Sequence, residues 1–301
     1  MRTSWTGCFP VMLTPFTSTG AIDVVGLDAL IEWYLGHGAS GLFACCQSSE
    51  IGCLGWDERL WLARHVVARV GGRVPVVGTG SLGLGDLAGE AACLRAFAAT
   101  GVDATVIITG QVVPPDTDDA GAVDLLERLA AMVPEVALGL YECPRPYKRL
   151  ISVAGMARLA ANPQWRYGKE TACDPAVSAA KARACAGTSL ALFDACVAQV
   201  SSSLAAGAAG TSPIVANLVP DLVAQLCALS KSAQPALQEA LTELGRLCEI
   251  GYPQAVKIAI GNEVGIGPWC RQASSPGPAD HAAVLMRKVA ELRAQFATVT
   301  A

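Results

Sequence analysis

A strand-like run followed by an amphipathic helical stretch recurs eight times between residues 8 and 229 of this 301-residue chain. No other feature restricts the fold as much, because each unit must bury one apolar face against its neighbours. The apolar runs are Cys8–Leu13, Gly41–Cys45, Val74–Gly78, Ala104–Thr109, Val136–Tyr141, Trp165–Lys169, Leu190–Phe193 and Ala208–Ser212. Helical period fills Val25–Gly36, Asp57–Val70, Asp86–Thr100, Asp119–Met132, Ser152–Ala161, Pro175–Ala184 and Cys196–Ala206. Acidic or hydroxylated residues open several of these stretches, as helix N-termini prefer. Eight such units predict an α/β fold, a (β/α)8 TIM barrel. An open doubly wound sheet would carry a glycine-rich phosphate loop after its first strand, where Met12-Leu13-Thr14-Pro15-Phe16 has none. After Ser212 the rhythm becomes helical, through Leu222–Leu229, Pro235–Ile250, Gln254–Gly261 and Pro278–Phe296. The expected organisation is a barrel domain over residues 1–220 and a C-terminal helical extension over 221–301.

Composition removes several function classes. Hydrophobic residues make up 52% and charged residues 16%, which suits a large buried core and excludes disorder. The net charge of −4, with no basic stripe, argues against nucleic acid as a partner. No apolar stretch reaches the length of a membrane span, and no apolar signal core follows Met1–Thr6, so a cytoplasmic location is expected. The 12 cysteines lack metal-type spacing: Cys45, Cys46 and Cys53 form the one close group, and none of the three histidines lies near it. Reduced thiols acting as small hydrophobes are expected, with no metal and no cofactor.

Barrel enzymes build their sites at the C-terminal ends of the strands. Those ends supply Thr14, the segment Gln47-Ser48-Ser49-Glu50, Tyr141, Lys169 and the turn Gly207–Ser212. Lys169 is the one amine among them. An ordinary lysine titrates near ~10.4, and a nucleophilic one must be brought to roughly 7–8 by desolvation or a neighbouring cation. Beside it, a phenol on the adjacent strand shuttles protons for a Schiff base with a carbonyl substrate. A solvent-exposed lysine at a strand end, and a tyrosine at the edge of the core, are the alternatives from pattern alone. Strand alternation puts Glu142 on the face opposite Tyr141, in a structural role. Cys143 returns to the inward face, as a pocket residue or an inert one.

These residues resemble the family of pyruvate-dependent class I aldolases and lyases that contains dihydrodipicolinate synthase and N-acetylneuraminate lyase. The resemblance runs through Pro10–Phe16, the loop Gln47-Ser48-Ser49-Glu50, Tyr141-Glu142-Cys143-Pro144, Gly168-Lys169-Glu170-Thr171, the turn Gly207–Pro220 with Ser212, and Val256-Lys257. It implies an imine between Lys169 and pyruvate or another 2-keto acid, with Tyr141 relaying protons. It also implies carboxylate binding by Ser48 and Ser49, with Gln47 where the family often has a relaying hydroxyl, and Thr14 and Ser212 in the substrate-binding set. A homodimer or homotetramer is implied as well. The chain departs from the synthases at Pro146, where they have an arginine, and at Thr109–Pro114, where they have a tyrosine.

The function expected is therefore a Schiff-base lyase or aldolase acting on a small-molecule 2-keto acid. A dehydratase or deaminase needs the same lysine and tyrosine, and dihydrodipicolinate synthase stands third. A barrel that binds a keto acid without turnover is the non-enzymatic alternative.

Overall fold

The computed structural model describes residues 5–228, 234–273 and 277–296. Eight parallel strands are present: β1 (Gly7–Cys8), β2 (Leu42–Ala44), β3 (Val76–Thr79), β4 (Ala104–Ile108), β5 (Leu138–Tyr141), β6 (Trp165–Glu170), β7 (Ala191–Asp194) and β8 (Gly210–Thr211). The sheet runs in the order β1-β8-β7-β6-β5-β4-β3-β2. A parallel bridge between Val11 and Phe43 closes it. This is the expected (β/α)8 barrel.

The first strand is shorter than Cys8–Leu13 because the chain changes partner partway along. Phe9 N donates to Thr211 O on one side; Met12 N donates to Phe43 O, and Phe43 N to Pro10 O, on the other. Pro10 lacks an N–H but keeps its carbonyl, so the switch leaves no donor stranded.

The helices that follow the first seven strands are α1 (Val24–Gly36), α2 (Trp56–Val70), α3 (Leu87–Ala98), the single turn α4 (Thr109–Val112) with α5 (Asp119–Met132), α6 (Val153–Ala160), α7 (Pro175–Cys185) and α8 (Val200–Ala205). Side chains of Asp23, Asp86, Asp118, Ser152 and Asp174 accept backbone N–H bonds at the starts of α1, α3, α5, α6 and α7. That chemistry made these starts legible. The remaining helices are α9 (Pro220–Ala228), α10 (Pro235–Cys248), α11 (Gln254–Val264) and α12 (Pro278–Phe296). Leu229, the expected end of α9, lies outside the described residues.

Aromatic rings fill the barrel interior. Phe9 and Phe193 have centroids 4.3 Å apart, Tyr167 and Phe193 5.1 Å, and Phe43 and Tyr167 5.5 Å. A Cβ at Gly41 would come within 2.1 Å of the Phe9 ring, so only glycine admits this packing. Outside the strands, one apolar cluster joins α1, α2 and α9 to the C-terminal helices through Leu30, Tyr34, Leu241, Val256 and Leu285.

Candidate active site

Lys169 and Tyr141 are register partners on β6 and β5. They face each other at the C-terminal mouth of the barrel, with Lys169 Nζ 4.6 Å from the Tyr141 ring centroid and 5.9 Å from that of Phe43. Lys169 is 5% exposed and makes no ion pair among the described residues. Burial lowers its pKa from 10.5 to about 8, against a smaller opposing effect of the Cys46 and Cys143 thiols. At pH 7 about a tenth of such an amine is free, against about one part in three thousand at the ordinary value. Burial, together with the neighbouring Cys143 and Cys46 thiols, holds the Tyr141 phenol well above its ordinary range. Tyr141 is therefore held in its protonated form.

A cavity of about 470 Å³ opens above this pair. Its walls include Gln47, Ser48, Arg145, Lys169, Glu249, Tyr252 and Gln272. A second cavity of about 470 Å³ lies at the opposite end of the barrel beside Trp5, Arg166 and Ser189, away from the lysine.

The loop carrying Gln47 and Ser48 is held in a strained form. Cys45 and Glu50 have positive φ angles of 50° and 57°. Glu50, 2% exposed, accepts from Lys257 Nζ at 2.7 Å, Arg271 N at 2.7 Å and Gln272 N at 2.8 Å. The C-terminal segment is thereby tied to the loop, and Gln272 is brought to the cavity.

The sequence-derived residues separate into two groups. Lys169, Tyr141, Gln47 and Ser48 line the cavity. Thr14, Ser49 and Ser212 sit behind it with their hydroxyls committed to backbone. Thr14 donates to Ser49 O at 3.0 Å, Ser49 to Met12 O at 2.7 Å, and Ser212 to Phe9 O at 2.7 Å. Glu142 lies outside the barrel wall, as alternation predicted, and pairs with Lys181 Nζ at 2.7 Å. Cys143 is fully buried against Tyr141. Tyr252 and Glu249 escaped sequence reasoning, because no local pattern reveals that the α10–α11 turn reaches back over the barrel mouth.

A buried lysine of depressed pKa inside a (β/α)8 barrel, with a phenol on the next strand, is the arrangement a class I, Schiff-base aldolase or lyase requires. The model of the dihydrodipicolinate synthetase family matches residues 4–271, and the chain belongs to that family. A 4-hydroxy-tetrahydrodipicolinate synthase from Xanthomonas axonopodis pv. citri is 29% identical over 283 residues, covering 92% of this chain and 91% of its own length. In fold the chain is similar to YagE, a prophage protein of the dihydrodipicolinic acid synthase family from E. coli K12 solved in complex with pyruvate (TM-score 0.84, 21% identity, 97% and 99% of the two chains). It is also similar to CdNal from Clostridium difficile solved with mannosamine (TM-score 0.81, 18% identity, 95% and 100%).

Proposed function

We propose that Lys169 condenses with pyruvate, or with the pyruvoyl end of a longer 2-keto acid, and that the enzyme makes or breaks the bond between C3 and C4. The Lys169 amine attacks C2, and the resulting hydroxyl leaves as water with a proton from Tyr141. The protonated imine then accepts the electron pair of the C3–C4 bond as that bond breaks. The Tyr141 phenolate recovers a proton from the C4 hydroxyl, so an aldehyde departs and an enamine remains. Tyr141 protonates C3, and hydrolysis of the imine returns the free amine and pyruvate. Condensation runs the same steps in reverse.

Ser48 offers its hydroxyl to the keto acid, while Thr14, Ser49 and Ser212 shape the site through the backbone they hold. Gln47, Arg145, Glu249 and Gln272 make the outer wall polar and of mixed charge, which fits a hydroxyl-bearing second half such as that of a 2-keto sugar acid. Similarity within the family supports a homodimer or homotetramer in the cytoplasm, and light scattering of the purified chain reads the assembly.

The observation that carries this reading is the buried lysine facing Tyr141 with no anionic partner among the described residues. Borohydride reduction in the presence of pyruvate should add the mass of one reduced pyruvate adduct at Lys169. Lys169→Ala should abolish the adduct and Tyr141→Phe should slow its formation. An adduct that survives Lys169→Ala would place the nucleophile elsewhere.

A further inference from the structure

A chain of hydrogen bonds runs from the core to the cavity. Leu13 N donates to the Tyr34 hydroxyl, which donates to Asn217 Oδ1. Asn217 Nδ2 donates to Val11 O at 2.9 Å and to the Tyr252 hydroxyl at 2.8 Å. Tyr252 in turn lines the cavity together with Ser48. Tyr34 and Asn217 are fully buried.

This chain has a fixed polarity. The Val11 carbonyl can only accept, so the edge of the Asn217 amide facing it must be the nitrogen. The same nitrogen faces Tyr252, whose oxygen therefore accepts from Asn217. The Tyr252 proton is left to point the other way, toward Ser48 and the cavity that both residues line. Ser49, the other hydroxyl of the strand-two loop, is already bonded to Met12 O and Cys46 N. Tyr141 lies beside Lys169.

We propose that Tyr252 and Ser48 form the donor pair that grips the carboxylate of the keto acid, so that Tyr252 sets a preference for the free acid over its neutral ester. The inference rests on the keto-acid reading above. Burial holds the Tyr252 phenol well above its ordinary pKa, so the proton stays available for donation. A carboxylate is the ligand group that takes two converging hydroxyl donors best, through charge-assisted bonds. Arg145 stands on the outer side, where the cavity meets a neighbouring groove lined by Glu50 and Gly52, and is placed for the far end of the substrate.

The test is borohydride trapping on the full chain with pyruvate and with methyl pyruvate. Half-saturating concentrations are read for wild type, Tyr252→Phe, Ser48→Ala and Arg145→Gln, with circular dichroism on each. Wild type is expected to favour the acid, and Tyr252→Phe to reduce the acid-to-ester preference about tenfold or more. Ser48→Ala removes the smaller member of the pair while leaving Asn217 bonded to Tyr252. It should reduce the same ratio, and it reads the pair even if the phenylalanine variant does not fold. An unchanged ratio in Tyr252→Phe and Ser48→Ala, or a ratio lost only in Arg145→Gln, overturns the assignment. Absence of any wild-type adduct with either compound overturns the Schiff-base reading instead, so the two failures are distinguishable.

Discussion

Moving the Lys169 ammonium from water into the barrel mouth lowers its pKa from 10.5 to about 8. The folded chain thus holds this proton less tightly than the unfolded chain does. Between those two values the unfolded state binds more protons, so this residue makes stability rise with pH across that window. Below about pH 8 both states are protonated and the full cost, on the order of 3 kcal/mol as an upper bound, applies. Lys169→Met should therefore raise stability at pH 7 by a measurable fraction of that amount in urea melts, with the gain fading as pH approaches 10.5. The rate of pyruvate trapping by wild type should climb through pH 7 and level off above about pH 8, where the amine is free. Lys169 was legible in the sequence as the candidate nucleophile because it is the one amine among the residues expected at the strand ends. Its burial was not, since Phe43 and Tyr141 reach it from other strands.

At the scale of elements, β5, β6 and α7 are joined outside the barrel wall by Glu142, Glu170 and Lys181, all essentially inaccessible. Lys181 Nζ lies 2.7 Å from Glu142 Oε1 and 3.2 Å from Glu170 Oε1. Glu142 also accepts from Ile151 N at 2.7 Å, and Glu170 from Ser178 Oγ at 2.6 Å. Burial raises the Glu142 pKa, and the Lys181 charge opposes that rise. Lys181→Met should cost roughly 3–5 kcal/mol at neutral pH, because two buried carboxylates lose their cation. Without Lys181 the buried Glu142 carboxyl takes up a proton more readily, so the loss should shrink as pH falls toward 5, which denaturant titration at the two pH values checks. Glu142 and Glu170 immediately follow Tyr141 and Lys169, so the clamp bears directly on the strands that carry the candidate site. Period-two alternation correctly turned Glu142 away from Tyr141, but it did not name the partner of Glu142. The partner is Lys181, because helix phase alone does not say which strand pair a helix covers.

Across the whole molecule, the C-terminal helices complete both the core and the site. Leu241, Val256 and Leu285 pack into the same cluster as Leu30 and Tyr34 of α1. Lys257, fully buried, holds Glu50 and the Trp269 carbonyl, at 2.7 Å and 2.9 Å. A chain ending at residue 220 should be insoluble on expression, because it would expose that cluster. Lys257→Met should cost about 3–5 kcal/mol by leaving Glu50 buried without its cation. It should also raise the half-saturating pyruvate concentration in trapping experiments, since the loop bearing Gln47 and Ser48 loses its anchor.

The sequence by itself determined the barrel, the starts of five capped helices, and Lys169 with Tyr141 at the ends of neighbouring strands. These follow from local chemistry: alternation, helical period, and caps that satisfy the first N–H groups. Only the tertiary structure decided which hydroxyls face the cavity and which hold backbone, and that Tyr252 is carried to the mouth by a distant turn. It also decided that α7 supplies the cation for Glu142 and Glu170. Those outcomes depend on which surfaces meet when the barrel closes, and contacts between residues more than 200 positions apart, such as Glu50 with Lys257, leave no periodic trace along the chain.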